Sequence, residues 1–243
     1  MSARVTRATA LRVLRQLRRD PRTLALVFVV PPLLLTLFKY VFYGQPETFD
    51  RIGGPLVGIF PFVLMFVITS ITMLRERTTG TLERLMTLPL SKLDLLLGYG
   101  LAFGLVAAVQ ATITAAVAFG LLGLDVEGSI VVVVLLAVGN ALLGMALGLL
   151  ASAFAQSEFQ AVQFMPAFVL PQFLLCGLLT PRDAMPGPLA ALSDVLPLSY
   201  IVDATHEVGL SESPDLVVPL LVIVGFVVAS LALGSVTLRR RTP

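Results

Sequence analysis

The stretch "RERTTGTLERLMTLPLSKLD", residues 75–94, lies between two long apolar runs and carries Arg75, Glu76, Arg77, Glu83, Arg84, Lys92 and Asp94. A charge at the centre of a bilayer costs about 2.5–3.5 kcal/mol on an insertion scale. A cluster this dense therefore marks where one membrane span ends and the next has yet to begin. Within it, Gly80 reads as a helix N-cap with Glu83 at the third helical position, Leu82, Leu85 and Met86 form one apolar face, and Pro89 stops the turn. Ser91, with Asp94 three residues on, reads as the capped start of the following span. The segment 75–93 is thus expected to hold a short amphipathic helix, a peg shaped for a groove on a partner protein.

Composition sets the surroundings. The chain has 243 residues, of which 57% are hydrophobic and 13% charged, and a mean hydropathy of +0.94. Soluble domains carry about 25% charged residues, so the bilayer is the natural solvent here. A crossing helix needs about 20 apolar residues, and six stretches qualify: 23–43, 55–74, 94–122, 129–154, 160–180 and 215–237. The expected fold is an all-α polytopic membrane protein with one transmembrane domain over 1–243. Every basic residue except Lys39, Arg51 and Arg182 falls on the side of the N-terminus, whereas most acidic residues lie in the opposite loops. Cationic residues near span ends stay in the cytoplasm, which puts both termini there and makes 181–214 an extracellular cap. That cap is apolar but broken by Pro186, Pro188, Ser193, Asp194, Pro197 and Asp203, too interrupted to cross.

Residues 1–22 read as an amphipathic interfacial helix. Arg4, Arg7, Arg12, Arg15, Arg18, Arg19 and Arg22 share one arc at 100° per residue, with Ala10, Val13, Leu14 and Leu17 opposite. Asp20-Pro21 breaks it, because the residue before proline disfavours helix. Two readings stand side by side, a positive-inside anchor and a jointed lever. The apolar run that follows spans a full membrane thickness with no small-x-small site after it, so the start reads as retained rather than cleaved.

Small residues recur every fourth position in two spans: Gly100, Gly104, Ala108, Thr112, Ala116 and Gly120 in the third, Asn140, Gly144, Gly148 and Ser152 in the fourth. Such stripes let helix backbones approach closely, which predicts that these two spans pack tightly as pillars. Prolines gather elsewhere, at Pro31, Pro32, Pro55, Pro61, Pro166 and Pro171, and proline-bearing helices suit the walls of a pathway. The same segments hold Phe28, Phe38, Lys39, Phe60, Phe66, Gln163, Phe164, Phe168, Gln172 and Phe173, the candidate translocation lining. Ordinary core or lipid contact is the competing reading for the phenylalanines, and snorkelling to the headgroups for Lys39.

The run "RERTTGTLERLMTLPLSKLDLLLGY" resembles the signature of ABC type-2 transport permeases, and "RRDPRTLALVFVVPPLLL" and "LPQFLLCGLLTPRDAMPGPLAALSDVLPLSYIVDATHEV" resemble that family's first span and its fifth span with the outer helix pair. The likeness covers essentially the whole chain. It implies that Glu76, Gly80, Thr81, Leu82, Glu83, Leu85 and Pro89, with Met86 beside them and Gly98 further on, belong to a region that couples to an ATP-binding subunit. This chain departs from the pattern at Arg77 and Thr78, where the family often has a second acidic residue. The resemblance further implies two ATPase copies and a second permease chain, as a homodimer, in a cell membrane.

No G-x-x-x-x-G-K-[ST] occurs, so ATP and Mg belong on the partner and this chain is expected to bind no cofactor and catalyse nothing itself. His206, near Asp203 and Glu207, reads as a solvated helix face, since one histidine with carboxylates does not close a zinc site. The only cysteine, Cys176, sits in an apolar run as a packing residue. The expected activity is outward export of a lipophilic small molecule, multidrug-efflux fashion, or of a lipid. The alternatives are export of a polysaccharide or glycolipid, and a gradient-driven transporter, which lacks midplane carboxylates here. Nothing points to nucleic acid, and Ala, Val, Leu and Arg richness suggests a bacterial source.

Overall fold

The computed structural model describes residues 3–81, 84, 91–211 and 213–237. Among the described residues there are helices and no strand: α1 (Ala3–Arg18), α2 (Pro21–Val41), α3 (Pro46–Thr78), α4 (Lys92–Gly120), α5 (Ile130–Ala151), α6 (Glu158–Leu175), a 3-10 turn at Arg182–Ala184, α7 (Gly187–Val195), α8 (Pro197–Leu210) and α9 (Val217–Thr237).

Five of these, α2, α3, α4, α5 and α9, are long and apolar enough to cross a membrane. The stretch expected as the fifth of six spans, 160–180, instead gives the 18-residue α6. It is diluted by Gln160, Gln163 and Gln172 and ends at Leu175, where Gly177 takes φ +91° and turns the chain away. The second span is longer than its apolar run. α3 has 33 residues, about 50 Å at 1.5 Å per residue, against a hydrocarbon core of about 30 Å. Helix therefore continues into the polar zone at both ends, from Pro46 before Gly53 and Gly54 to Arg75, Glu76 and Arg77.

α1 and α2 are separate helices joined at Asp20. Pro21 occupies the first position of α2, where its missing N–H costs nothing. The Asp20 carboxylate accepts from Thr23 N at 3.1 Å and from Thr23 Oγ1 at 2.7 Å, satisfying an orphan donor of the first turn.

The bundle is organised around α3 and α5. A Cβ added at Gly144 would lie 2.2 Å from the Phe62 carbonyl oxygen, and one at Gly148 would lie 2.4 Å from that of Phe66. These glycines let the two backbones touch. Asn140 Nδ2 donates to Gly58 O at 2.8 Å and Thr69 Oγ1 to Met145 O at 3.3 Å, bonding the same pair. The small stripe of the fourth span therefore packs closely on the second span, a neighbour that the spacing alone did not name. In α4, Gly100 and Gly104 do meet α5, facing Met145 Cε and Leu142 Cδ2, whereas Thr112, Ala116 and Gly120 are exposed. Periodicity shows that a helix has a close-packing stripe but not which neighbour fills it.

Two polar poles cap the bundle. At one, Arg75 donates to the Glu158 carboxylate at 2.6 and 2.9 Å, joining the end of α3 to the start of α6. At the other, Arg182 bonds Asp194 of α7 and Asp203 of α8, and Ser193 Oγ donates to Leu175 O at 2.7 Å. α6 thus runs from pole to pole. Within the stretch expected as a cap, α8 buries Leu198, Ile201, Val202, Ala204 and Val208 in the main core.

Candidate functional site

The pole that holds the expected coupling region is built by α1, the end of α3 and the start of α4. α1 buries Thr6, Thr9, Ala10 and Val13, while Leu14 and Leu17 are only partly covered and Leu11 is exposed. The buried face is rotated toward the threonines relative to the arc expected for a helix lying on lipid, because α4 covers it. The contact is made possible by Gly98, where an added Cβ would lie 2.6 Å from Thr9 Cβ and 3.1 Å from Thr6 O. Thr6 Oγ1 also donates to Asp94 at 3.4 Å. Ser91 Oγ accepts from Asp94 N at 3.0 Å, capping α4 at the position the spacing indicated.

Glu76 is 3% exposed. Arg12 Nη1 and Nη2 donate to its two carboxylate oxygens at 2.8 and 3.2 Å, and Arg12 Nη2 donates to the Tyr99 hydroxyl at 3.0 Å. The guanidinium also lies 5.9 Å from the Tyr99 ring centroid, within cation–π range. Burial disfavours the Arg12 cation, but its bonds and proximity to Glu76 and Tyr99 outweigh that and raise its pKa. The Arg12 guanidinium thereby ties α1 to α3 and α4. Glu76, expected as part of the coupling region, has both oxygens engaged inside the chain.

α3 ends in a left-handed turn. Thr79 N donates to Arg75 O at 2.9 Å, Gly80 has φ +70°, and Arg84 N donates to Gly80 O at 3.1 Å. Gly80 closes one helix and accepts the first bond of the next, as an N-cap does. Thr81 is helical and its hydroxyl lies 3.0 Å from that of Thr79. Leu82, Glu83, Leu85, Met86 and Pro89 lie outside the described residues.

Sequence reasoning missed Arg12 and Tyr99. Arg12 stands among seven arginines of one arc, and its distinguishing feature is that it borders the buried face, one turn from Thr9. Nothing local marks Tyr99, 87 positions away from it.

The candidate lining residues do not share one surface. Phe66 is fully buried in the main core, and Phe60, Phe38, Phe164 and Phe173 pack partly covered against that core. Phe28 belongs to the cluster that includes Val13 and Tyr99. Gln163 and Phe168 are exposed, and Phe164 meets Phe168 edge to face at 5.9 Å. Gln172 is buried, its amide nitrogen donating to Phe168 O at 3.0 Å while its carbonyl oxygen is left without a partner. Lys39 is half-buried, its Nζ 4.5 Å from the centroid of Phe49 on α3.

The opposite pole encloses a cavity of about 680 Å³ lined by Arg51, Arg182, Asp183, Asp194, Asp203 and His206. His206 Nε2 lies 3.0 Å from Arg51 O, a distance at which its N–H donates. Burial pushes the His206 pKa down and that of Asp203 up, the latter despite Arg182. Among the described residues no His, Cys, Asp and Glu cluster is placed to hold a metal.

The sequence from residue 4 to 208 matches the family model described as "ABC-2 type transporter". The chain belongs to the ABC-2 type transporter family. Relatives of this ABC-2 chain include the "Probable multidrug ABC transporter permease YbhR" of Escherichia coli, 30% identical over 65% of the chain and 43% of that protein. YbhS of the same organism is 26% identical over 82% of the chain and 52% of that protein. The "ABC transporter G family member 20" of Dictyostelium discoideum is 27% identical over 69% of the chain and 23% of that protein. The ABC-2 chain thus spans about half or less of the length of these relatives. ABC-2 permeases generally pair with ATP-binding cassette subunits.

Proposed function

We propose that this chain is the membrane subunit of an ABC exporter that moves a lipophilic small molecule or lipid outward, driven by ATP hydrolysed on two ATP-binding subunits, with a second copy of the chain completing the pathway. The observation that carries this reading is the Gly80 turn: it leads directly from the charged end of α3 into residues 81–90, and Glu76, one turn before it, is bonded to Arg12 of α1, which also bonds Tyr99 of α4. A force applied to 81–90 by a partner reaches three helices through one buried ion pair. The names of the YbhR and YbhS relatives, multidrug permeases, support a drug-like cargo.

In this reading α6 is the fifth of six crossings. Its 18 residues reach about 27 Å, close to the hydrocarbon thickness, and its two ends are held at opposite poles by Glu158 and by the Leu175 carbonyl. Six crossings put both termini on the Arg-rich side, which is cytoplasmic by the distribution of basic residues.

The test is affinity purification of the tagged chain from its native membranes in mild detergent, followed by reconstitution with whatever ATPase co-purifies. The expected result is a stoichiometric P-loop ATPase whose hydrolysis drives dye efflux. A Thr81→Pro variant is expected to remain in the membrane while hydrolysis and efflux lose their correlation. Transport by the chain alone, driven by an ion gradient, overturns the reading.

A further inference from the structure

A second cavity, of about 400 Å³, opens at the elbow between α1 and α2. Its walls are aliphatic, with Leu26 from α2 and Leu64, Val67 and Ile68 from α3, and its mouth carries Gln16 and Arg19. Leu26 is 59% exposed, so the slot is open sideways, toward the acyl chains of a surrounding bilayer, as well as at the polar end. The volume lies in the range of small-molecule sites, about 300–1,000 Å³.

The mouth has a distinct electrostatic arrangement. Arg75 is held by Glu158 in a two-pronged pair, and the Asp20 carboxylate is occupied with Thr23 at both oxygens. Arg19 is exposed and forms no ion pair among the described residues. Arg15, Arg18 and Arg22, near it in sequence, are exposed as well. The slot therefore offers an apolar trough topped by one uncommitted guanidinium. That combination complements a group with a hydrocarbon chain and a phosphate: guanidinium binds phosphate through paired N–H donors, and basic residues beside a membrane-embedded helix attract anionic lipid.

We infer that the α1–α2 elbow is a binding site for one glycerophospholipid of the surrounding leaflet, its phosphate on Arg19 and one acyl chain in the trough between α2 and α3. The lipid fills the gap that the turn at Asp20 leaves between α1 and α3. It bears on the α1 side of the pole without touching Arg12 or Glu76, and the assignment does not depend on what the protein exports.

Native mass spectrometry of the full chain, released from mild detergent after incubation with phosphatidylglycerol or with diacylglycerol of the same chain length, tests this. One phosphatidylglycerol per chain is expected to survive delipidation, with diacylglycerol retained about tenfold less, the scale of one charge-assisted hydrogen bond. Arg19→Gln is expected to lower phosphatidylglycerol retention by about the same factor. Leu64→Trp, which fills the trough, removes retention of both lipids, and Arg4→Gln, exposed on α1 away from the cavity, leaves retention as it is. Equal retention of the two lipids by the unaltered chain overturns the phosphate assignment, whatever the variants do. Retention unchanged in both Arg19→Gln and Leu64→Trp means that the lipid is carried elsewhere on the surface and overturns the site.

Discussion

Removing Arg12 is expected to destabilise the chain more than removing the partner it holds. In the Arg12–Glu76 pair the arginine side chain is 33% exposed and the glutamate side chain 4% exposed. An Arg12→Ala variant strands a carboxylate with almost no access to water, and breaking a buried pair from one side costs about 3–5 kcal/mol. The partial exposure of Arg12 screens the site, so about 3 kcal/mol is the expected loss. Glu76→Ala strands instead a guanidinium that can turn toward solvent and keeps its bond to Tyr99, for an expected loss of about 1.5–2 kcal/mol. Once Glu76 is gone, Arg12 has little left to hold, so the double variant is expected to cost about 2 kcal/mol rather than the sum of about 5. SDS titration of the purified chain in mixed micelles, with the unfolded fraction read by a short protease pulse, measures all four corners of the cycle. Additive losses in the double variant would refute the ion pair as a structural tie, and equal losses in the two single variants would refute the argument from exposure.

Three further outcomes follow from the same geometry. Gly80→Ala places a side chain at φ +70°, which costs about 1–2 kcal/mol, and in the assembled transporter it is expected to reduce ATP-driven efflux more than membrane insertion; equal loss of both sinks the coupling role of the turn. Gly98→Val drives a side chain into Thr9 and Thr6 and is expected to free α1, seen as several-fold faster tryptic cleavage at Arg15 and Arg18 with the bundle intact. The folded state holds the His206 pKa below its ordinary 6.5, so below that pH the unfolded chain binds a proton that the folded chain refuses, and stability falls as pH drops from about 6.5. Asp203, with a raised pKa, acts in the opposite sense at lower pH, where protonation favours the folded chain. A thermal-stability profile between pH 7 and 5 is expected to slope downward toward acid and to flatten in His206→Gln; an unchanged slope in that variant assigns the effect to other groups.

What could be read in advance was whatever depends on neighbours in sequence. The apolar runs, the break at Asp20-Pro21, the Ser91 cap and the turn at Gly80 each follow from a residue and the few beside it. What could not be read depends on which surfaces meet. Gly144 and Gly148 signalled close packing, but the Phe62 and Phe66 carbonyls that they receive lie on a helix far earlier in the chain, and the spacing did not say which helix that would be. Arg12 and Glu76 are 64 positions apart, and each has an adequate local explanation, as a positive-inside arginine and as the end of a span. The α1 face was displaced by about 40° at 100° per residue for a similar reason, since α4 accepts threonines that lipid would not favour.

In the exporter reading, α3 is a lever that runs between the two poles. Its cytoplasm-facing end in the exporter reading carries the Gly80 turn, and its far end carries Arg51, whose carbonyl holds His206 beneath the Arg182 clasp. Between them, Gly144 and Gly148 interlock the rod with α5 so closely that sliding one helix past the other would drive backbone into backbone. Axial slip is closed to it. In that reading, a stroke delivered at the turn arrives at the opposite face as a tilt of the α3–α5 pair as one body, with both ends of the molecule set in motion by the same displacement.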